Sequence, residues 1–159
     1  MLMLRAAYPD MFPQYDVILS IDNDTIVEAD ISPLFETDMS NYYYDAALEA
    51  RPGRKVEQPY FNTGVMLMNL RKMREDGIDK RTIADLNETH YLNDSQDALC
   101  VSCRDHILMI PPAYNACMFT AQTDTVYIRH FAGSHKPWFD QFAEPYNKPW
   151  NEILRSNES

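Results

Sequence analysis

The sequence predicts an α/β layered fold, and two observations carry that expectation. The runs Val17-Ile18-Leu19-Ser20-Ile21 and Val65-Met66-Leu67-Met68 are apolar with almost no polar alternation, the pattern of buried strands. Segments with helical spacing lie between and after such runs, so strands alternate with helices. A third observation places the chemistry. Asp22-Asn23-Asp24 stands at the end of the first run. Carboxylates at i and i+2 on a strand point the same way. An α/β sheet holds its ligand outside the carboxyl ends of its strands. Two close carboxylates repel unless a proton or a cation lies between them. The motif therefore suggests a divalent cation in a site that also holds phosphate. Solvated turn carboxylates are the plainer alternative, since Asp is a favoured turn residue.

The elements follow in order. Arg5 to Phe12 reads as a short helix or turn ending at Pro13. Asp16–Asp22 reads as a central parallel strand. Ile31–Phe35, with Pro33 inside, is a helical turn, and Asp45–Ala50 is a strand. Arg51 to Pro59 carries Pro52, Gly53 and Pro59 among charges and reads as a loop. Tyr60 to Leu70 is a second buried strand, whose Gly64 marks a bulge or a close backbone approach. Arg71–Asp76 is a short charged helix stopped near Gly77. Asp79 to Tyr91 is a helix with Ile83, Leu86 and His90 at helical spacing. Gln96–Arg104 is another, with Asp94 or Ser95 as its cap. His106–Ile110 and Val126–Phe131 are strands, and the Pro- and Trp-rich tail from Lys136 wraps the surface.

Composition narrows the classes. The 159 residues suffice for one domain with a core. A net charge of −10 argues against a nucleic-acid partner, which would call for a basic face. No run reaches the length of a membrane span. Three cysteines give no disulfide framework, and a reducing cytoplasm is the default compartment. Cys100-x-x-Cys103 is a lone pair, and a buried structural role is the better reading than zinc.

Strand-Asp22-x-Asp24-Thr25 also resembles the first motif of haloacid-dehalogenase-type phosphatases. That family needs an acidic pair after a further apolar strand. Glu75-Asp76 and Asp79 lie in a charged, glycine-containing turn, so the match is poor. The segment Ile128 to Trp138 favours the cation instead. It places His130 at a strand end, then Gly133 and Lys136. Imidazole and carboxylates together suit manganese or zinc. The glycine lets backbone approach a diphosphate, and the lysine supplies a point charge.

Several stretches together resemble bacterial glycosyltransferase family 8, the lipopolysaccharide galactosyl- and glucosyltransferases related to glycogenin. They are Ile21-Asp22-Asn23-Asp24-Thr25-Ile26-Val27, Asp30-Ile31-x-Pro33-Leu34-Phe35, Phe61-Asn62-Thr63-Gly64-Val65-Met66-Leu67-Met68-Asn69-Leu70, Gln96-Asp97-Ala98-Leu99 and His130-Phe131-Ala132-Gly133-x-x-Lys136-Pro137-Trp138. The resemblance implies a Rossmann-like nucleotide-diphospho-sugar transferase fold of the GT-A type. It implies retaining transfer of a hexose, glucose or galactose, from a UDP-sugar to a saccharide acceptor. Manganese is the implied cofactor, with magnesium as the other candidate. Asp22, Asp24 and His130 are the implied metal ligands. Gly133 and Lys136 would hold the diphosphate, and Asn62, Thr63 and Glu49 would lie at the donor sugar. Gln96 and Asp97 are assigned to catalysis.

Two departures qualify this picture. Ser95 stands where relatives usually carry Asp, which leaves the donor sugar open. The metal motif begins at residue 22, so the expectation is a single partial catalytic domain over 1–159, with the first nucleotide-binding βαβ part absent. Such a chain is expected to be marginally stable or to self-associate, with peripheral membrane association left open. A remnant that binds metal or sugar nucleotide without turnover is the alternative reading.

Overall fold

The computed structural model describes residues 2–50, 59–134, 136–139 and 147–156. Leu2–Ala7 forms a 3-10 helix that runs into helix α1, Tyr8–Met11. Strand β1, Val17–Ile21, and strand β2, Thr25–Val27, flank the acidic motif, and Ser32–Phe35 forms helix α2. Strand β3 is Tyr44–Leu48. The expected strand from Tyr60 is broken at Thr63-Gly64 into β4, Phe61–Asn62, and β5, Val65–Asn69. The loop expected at Arg51 to Pro59 lies, apart from Pro59, outside the described residues.

The main sheet runs β1-β5-β3-β4, and strand β6, Ile107–Ile110, lies parallel to β3. Strand β1 departs from the expectation. It pairs antiparallel with β5, Val17 opposite Asn69 and Ile21 opposite Val65, and among the described residues β5 is its one strand partner. An apolar run reports that both faces are covered; it carries no information about partner direction. The cover is visible here. Ile18 packs into the cluster of Tyr44, Met66 and Met68, while Leu19 packs into that of Leu34, Val65 and Ile128.

One face of the sheet is covered by three helices: α3, Leu70–Asp76; α4, Ile78–Glu88; and α5, Asp94–Ser102. Asn69 caps α3 by accepting from Lys72 N at 3.0 Å, and Gly77 ends it with φ 64°. Helix α4 is shorter than expected. Thr89 turns extended, so His90 lies beyond the helix and is exposed. Its buried positions are Ile78, Asp79 and Thr82, one turn earlier than the spacing of Ile83, Leu86 and His90 suggests. Helix α5 begins after Asn93, which holds the N-cap position without a side-chain cap, so the expected caps Asp94 and Ser95 both lie inside the helix.

Cys100 and Cys103 join the core under these helices, and burial pushes their thiols up to about 11 and about 12. That environment suits packing and disfavours the thiolate a metal ligand needs.

The other face carries α2 and a separate ribbon in which β2 pairs antiparallel with strand β7, Ile128–His130. Helix α6, Lys148–Ser156, follows, with the Trp150 ring 6.1 Å from Phe131 and 5.3 Å from Trp138. Among the described residues no helix is long and apolar enough to cross a membrane.

Candidate metal and donor site

The site lies where the main sheet meets the ribbon. The two aspartates do not share a strand face, as their i, i+2 spacing suggests. The chain leaves β1 after Ile21, turns through Asn23-Asp24 and re-enters as β2. Asp22 N donates to Gly64 O at 2.8 Å, which ties the turn to the sheet. Phe131 N donates to Asp24 O at 2.9 Å, which ties it to the end of β7. Convergence of the carboxylates is thus a property of the turn.

His130 comes to the same point from β7, opposite Thr25 in register. One donor atom from each of Asp22, Asp24 and His130 fits within a span of 4.8 Å. Asn115 sets the ring. Its Nδ2 donates to Asn62 O at 3.2 Å and Asn62 Oδ1 at 2.9 Å, so its oxygen is what it offers His130 Nδ1, at 2.8 Å. Nδ1 therefore carries a proton and Nε2 faces the carboxylates. Nε2 is 3.5 Å from Asp22 Oδ2 and 3.5 Å from Asp24 Oδ1. That nitrogen would offer its lone pair to a cation held between them. Two carboxylates and one imidazole, whose tautomer the Asn115 amide fixes, are a donor set that fits a divalent transition metal.

Gly64 makes this approach feasible. A Cβ there would lie 2.1 Å from His130 Cε1 and 2.4 Å from Nδ1. The glycine is needed for space, and the break between β4 and β5 is where the ribbon's histidine reaches the sheet.

Two cations line the cluster. Lys136 Nζ bonds Asp24 Oδ2 and donates to Phe131 O at 2.9 Å. Arg5 Nη2 bonds Asp22 Oδ1. Burial opposes the charge on Asp24, but hydrogen bonds from His130 and Lys136 outweigh it and hold the carboxyl down to about 2.

The residues assigned to the donor sugar also gather. Gln96 Oε1 accepts from Thr63 N at 3.2 Å and Thr63 Oγ1 at 3.3 Å, while its Nε2 donates to Glu49 Oε2 at 3.3 Å. Asn62 is placed differently: its Oδ1 accepts from Gly64 N at 3.0 Å and from Asn115, so it fixes the strand break. Asp97 accepts from Tyr60 OH and from Asn93 N, at 3.0 Å. Gly133, at φ 90°, supplies a backbone conformation that L side chains rarely adopt, next to Lys136.

Sequence reading missed two functional positions. Arg5 is buried at 4% exposure. Its signal is a lone arginine within the apolar stretch Met1 to Ala7. Asn115 follows Pro111-Pro112 with no local signal.

Solved structures share this architecture. The chain superposes on the galactosyltransferase LgtC, in complex with donor and acceptor sugar analogs, with TM-score 0.80 and 23% identity, over 97% of this chain and 66% of that one. It superposes on the glycosyltransferase GlyE of Streptococcus pneumoniae with TM-score 0.77 and 28% identity, over 97% of this chain and 43% of that one. The fold is that of the GT-A glycosyltransferases. The model of glycosyl transferase family 8 matches residues 1–141, and the chain belongs to that family. Among curated relatives it is 27% identical to general stress protein A of Bacillus subtilis over 89% of this chain. It is 31% identical to the glycosyltransferase GlyF of Streptococcus pneumoniae over 86%, and 24% identical to a lipopolysaccharide 1,2-glucosyltransferase of Escherichia coli over 87%. The chain spans 60%, 34% and 52% of the length of those three.

Proposed function

We propose that these residues form the donor site of a retaining hexosyltransferase, moving glucose or galactose from a UDP-sugar to a saccharide acceptor. The proposed cation is manganese, with magnesium as the other candidate. The observation that carries this reading is the convergence of Asp22, Asp24 and His130 within 4.8 Å in a chain of family 8. When bound, the cation would supply charge stabilisation to the departing nucleoside diphosphate.

The chain's own groups do the rest. Lys136 stands ready with a second positive charge for the diphosphate, and Gly133 bares backbone beside it. Gln96 is held at both ends of its amide, so its oxygen is oriented before a substrate arrives. A carboxamide oxygen so fixed can stabilise the oxocarbenium-like anomeric carbon. Glu49 and Thr63, which hold Gln96, lie where the sugar hydroxyls would be read. Asn62 and Asp97 support the site through the strand break and the start of α5.

Free thiols at Cys100, Cys103 and Cys117 suit a reducing cytoplasm. A second reading, binding without turnover, draws on Ser95, whose buried Oγ has no hydrogen-bond partner among the described residues.

Calorimetry with UDP tests the site. UDP is expected to bind at least tenfold more tightly with Mn2+ than without, and UDP release from UDP-glucose or UDP-galactose separates the two readings. Asp24→Asn should lose the manganese dependence while its circular dichroism stays unchanged. Undiminished affinity in that variant would sink the metal assignment.

A further inference from the structure

We propose that Arg5 is a positioning residue that makes cation binding at Asp22, Asp24 and His130 conditional on the diphosphate, and that it links the cation site to Gln96. The inference rests on the function proposed above. Besides Asp22 Oδ1, the guanidinium reaches Thr63 O at 2.6 Å and Thr63 Oγ1 at 3.2 Å, through Nη1. Thr63 is the residue that holds the Gln96 amide oxygen. One buried side chain thus spans from a carboxylate ligand to the amide at the donor sugar.

The charges give this bridge its consequence. Two carboxylates face one guanidinium and one ammonium. Those four charges already balance. Each aspartate divides its oxygens. Asp22 gives Oδ1 to Arg5 and Asp24 gives Oδ2 to Lys136, leaving Asp22 Oδ2 and Asp24 Oδ1 toward His130. A divalent cation arriving alone meets those two oxygens but adds two uncompensated positive charges in a part-buried setting. A diphosphate supplies the missing negative charge. Cation and diphosphate therefore bind weakly apart and well together, each raising the other's affinity by the same factor.

Arg5 is the group that enforces this. The Lys136 side chain is 23% exposed and can turn to a ligand, whereas that of Arg5 is 5% exposed and anchored on Thr63.

The test is calorimetry of Mn2+ alone, UDP alone, and Mn2+ with saturating UDP, on wild type, Arg5→Gln and Arg5→Lys. The wild type should show a coupling factor of about ten or more. Arg5→Gln removes the charge and keeps a donor for Thr63 O, so Mn2+ alone should bind roughly tenfold or more tightly and the coupling should fall toward one. Arg5→Lys should keep weak Mn2+ binding and strong coupling. Equal Mn2+ affinity in wild type and Arg5→Gln, with the ternary complex formed in both, overturns the inference and leaves the site reading standing. No Mn2+ binding by the wild type, with or without UDP, overturns both. Should Arg5→Gln fail to fold, Arg5→Lys decides: Mn2+ alone binding roughly tenfold or more tightly there, with the positive charge kept, overturns the inference.

Discussion

Asp45 in the main sheet and Asp24 beside the ribbon are both buried, and their carboxyls shift in opposite directions. Asp45 is fully buried on β3, where Oδ1 accepts from Leu67 N at 2.7 Å and Oδ2 has no partner among the described residues. Burial pushes its carboxyl up to about 7, against that one hydrogen bond. Asp24 meets His130 and Lys136, and these contacts overcome burial and hold its carboxyl at about 2. The contrast extends to the regions around them. The sheet region is shaped by apolar volume, with all of β5 buried between two clusters. The ribbon is also anchored by apolar contacts, through Ile128 and Phe131, but its end at the site is set by charge and hydrogen bonds, the interactions a charged ligand can rearrange. Stability and function are therefore carried by different chemistry a few residues apart, and substitutions should separate them.

The largest effect is expected at the seam. Gly64→Ala would put a methyl group into the His130 ring, with the nearest approach 2.1 Å. His130 must then move off the carboxylates. Mn2+-dependent UDP affinity should fall by about 100-fold or more, a loss of about 2.7 kcal/mol. The circular dichroism of the sheet should remain. Wild-type affinity in this variant would mean that the ribbon shifts freely against the sheet, and the division between the regions would fail.

Met68→Ala is the converse. Met68 is fully buried on β5, opposite Ile18 and Tyr44. Its loss should cost about 2–5 kcal/mol of stability, read from denaturant unfolding. Below the new melting temperature, Mn2+–UDP affinity should stay within about twofold of wild type, because Met68 packs in the apolar cluster of Tyr44, Met66 and Leu99. A fall in affinity matching the stability loss would show that core volume positions the site after all.

Much of this division can be read from the residues in order. Asp22, Asp24, His130 and Lys136 announce a cation and a phosphate by type and spacing, and the structure brings them together. Thr63, Gln96 and Glu49 also meet. The strands at Tyr44–Leu48 and Ile107–Ile110 declare themselves by apolar content. Partner direction does not, because the apolar run of β1 would look the same with parallel or antiparallel neighbours. Long-range polar contacts are equally silent. Arg5 reaches Thr63 across 58 residues and Asn115 reaches Asn62 across 53, so neither partnership leaves a local pattern. The turn at Asn23-Asp24 shows the subtler limit: the sequence names the right carboxylates, while strand periodicity assigns the wrong cause for their convergence.

The smallest effect per step is a pH slope, and it tests the opening contrast directly. Asp45 binds its proton more tightly folded, near pH 7, than unfolded, near 3.8. Between those values the native state holds more protons than the unfolded chain, so stability falls as pH rises. The contribution is fully present below about pH 4 and lost as pH passes 7, with a slope of at most about 1.4 kcal/mol per pH unit. Asp45→Asn keeps an oxygen for Leu67 N and cannot ionise. Its unfolding free energy, measured across pH 4 to 8, should lack this downward slope. An identical pH profile in wild type and variant would mean that Asp45 stays ionised in the fold. The sheet would then tolerate a buried charge as the ribbon does, without the ribbon's cations, and the distinction between the two regions would have to rest on packing alone.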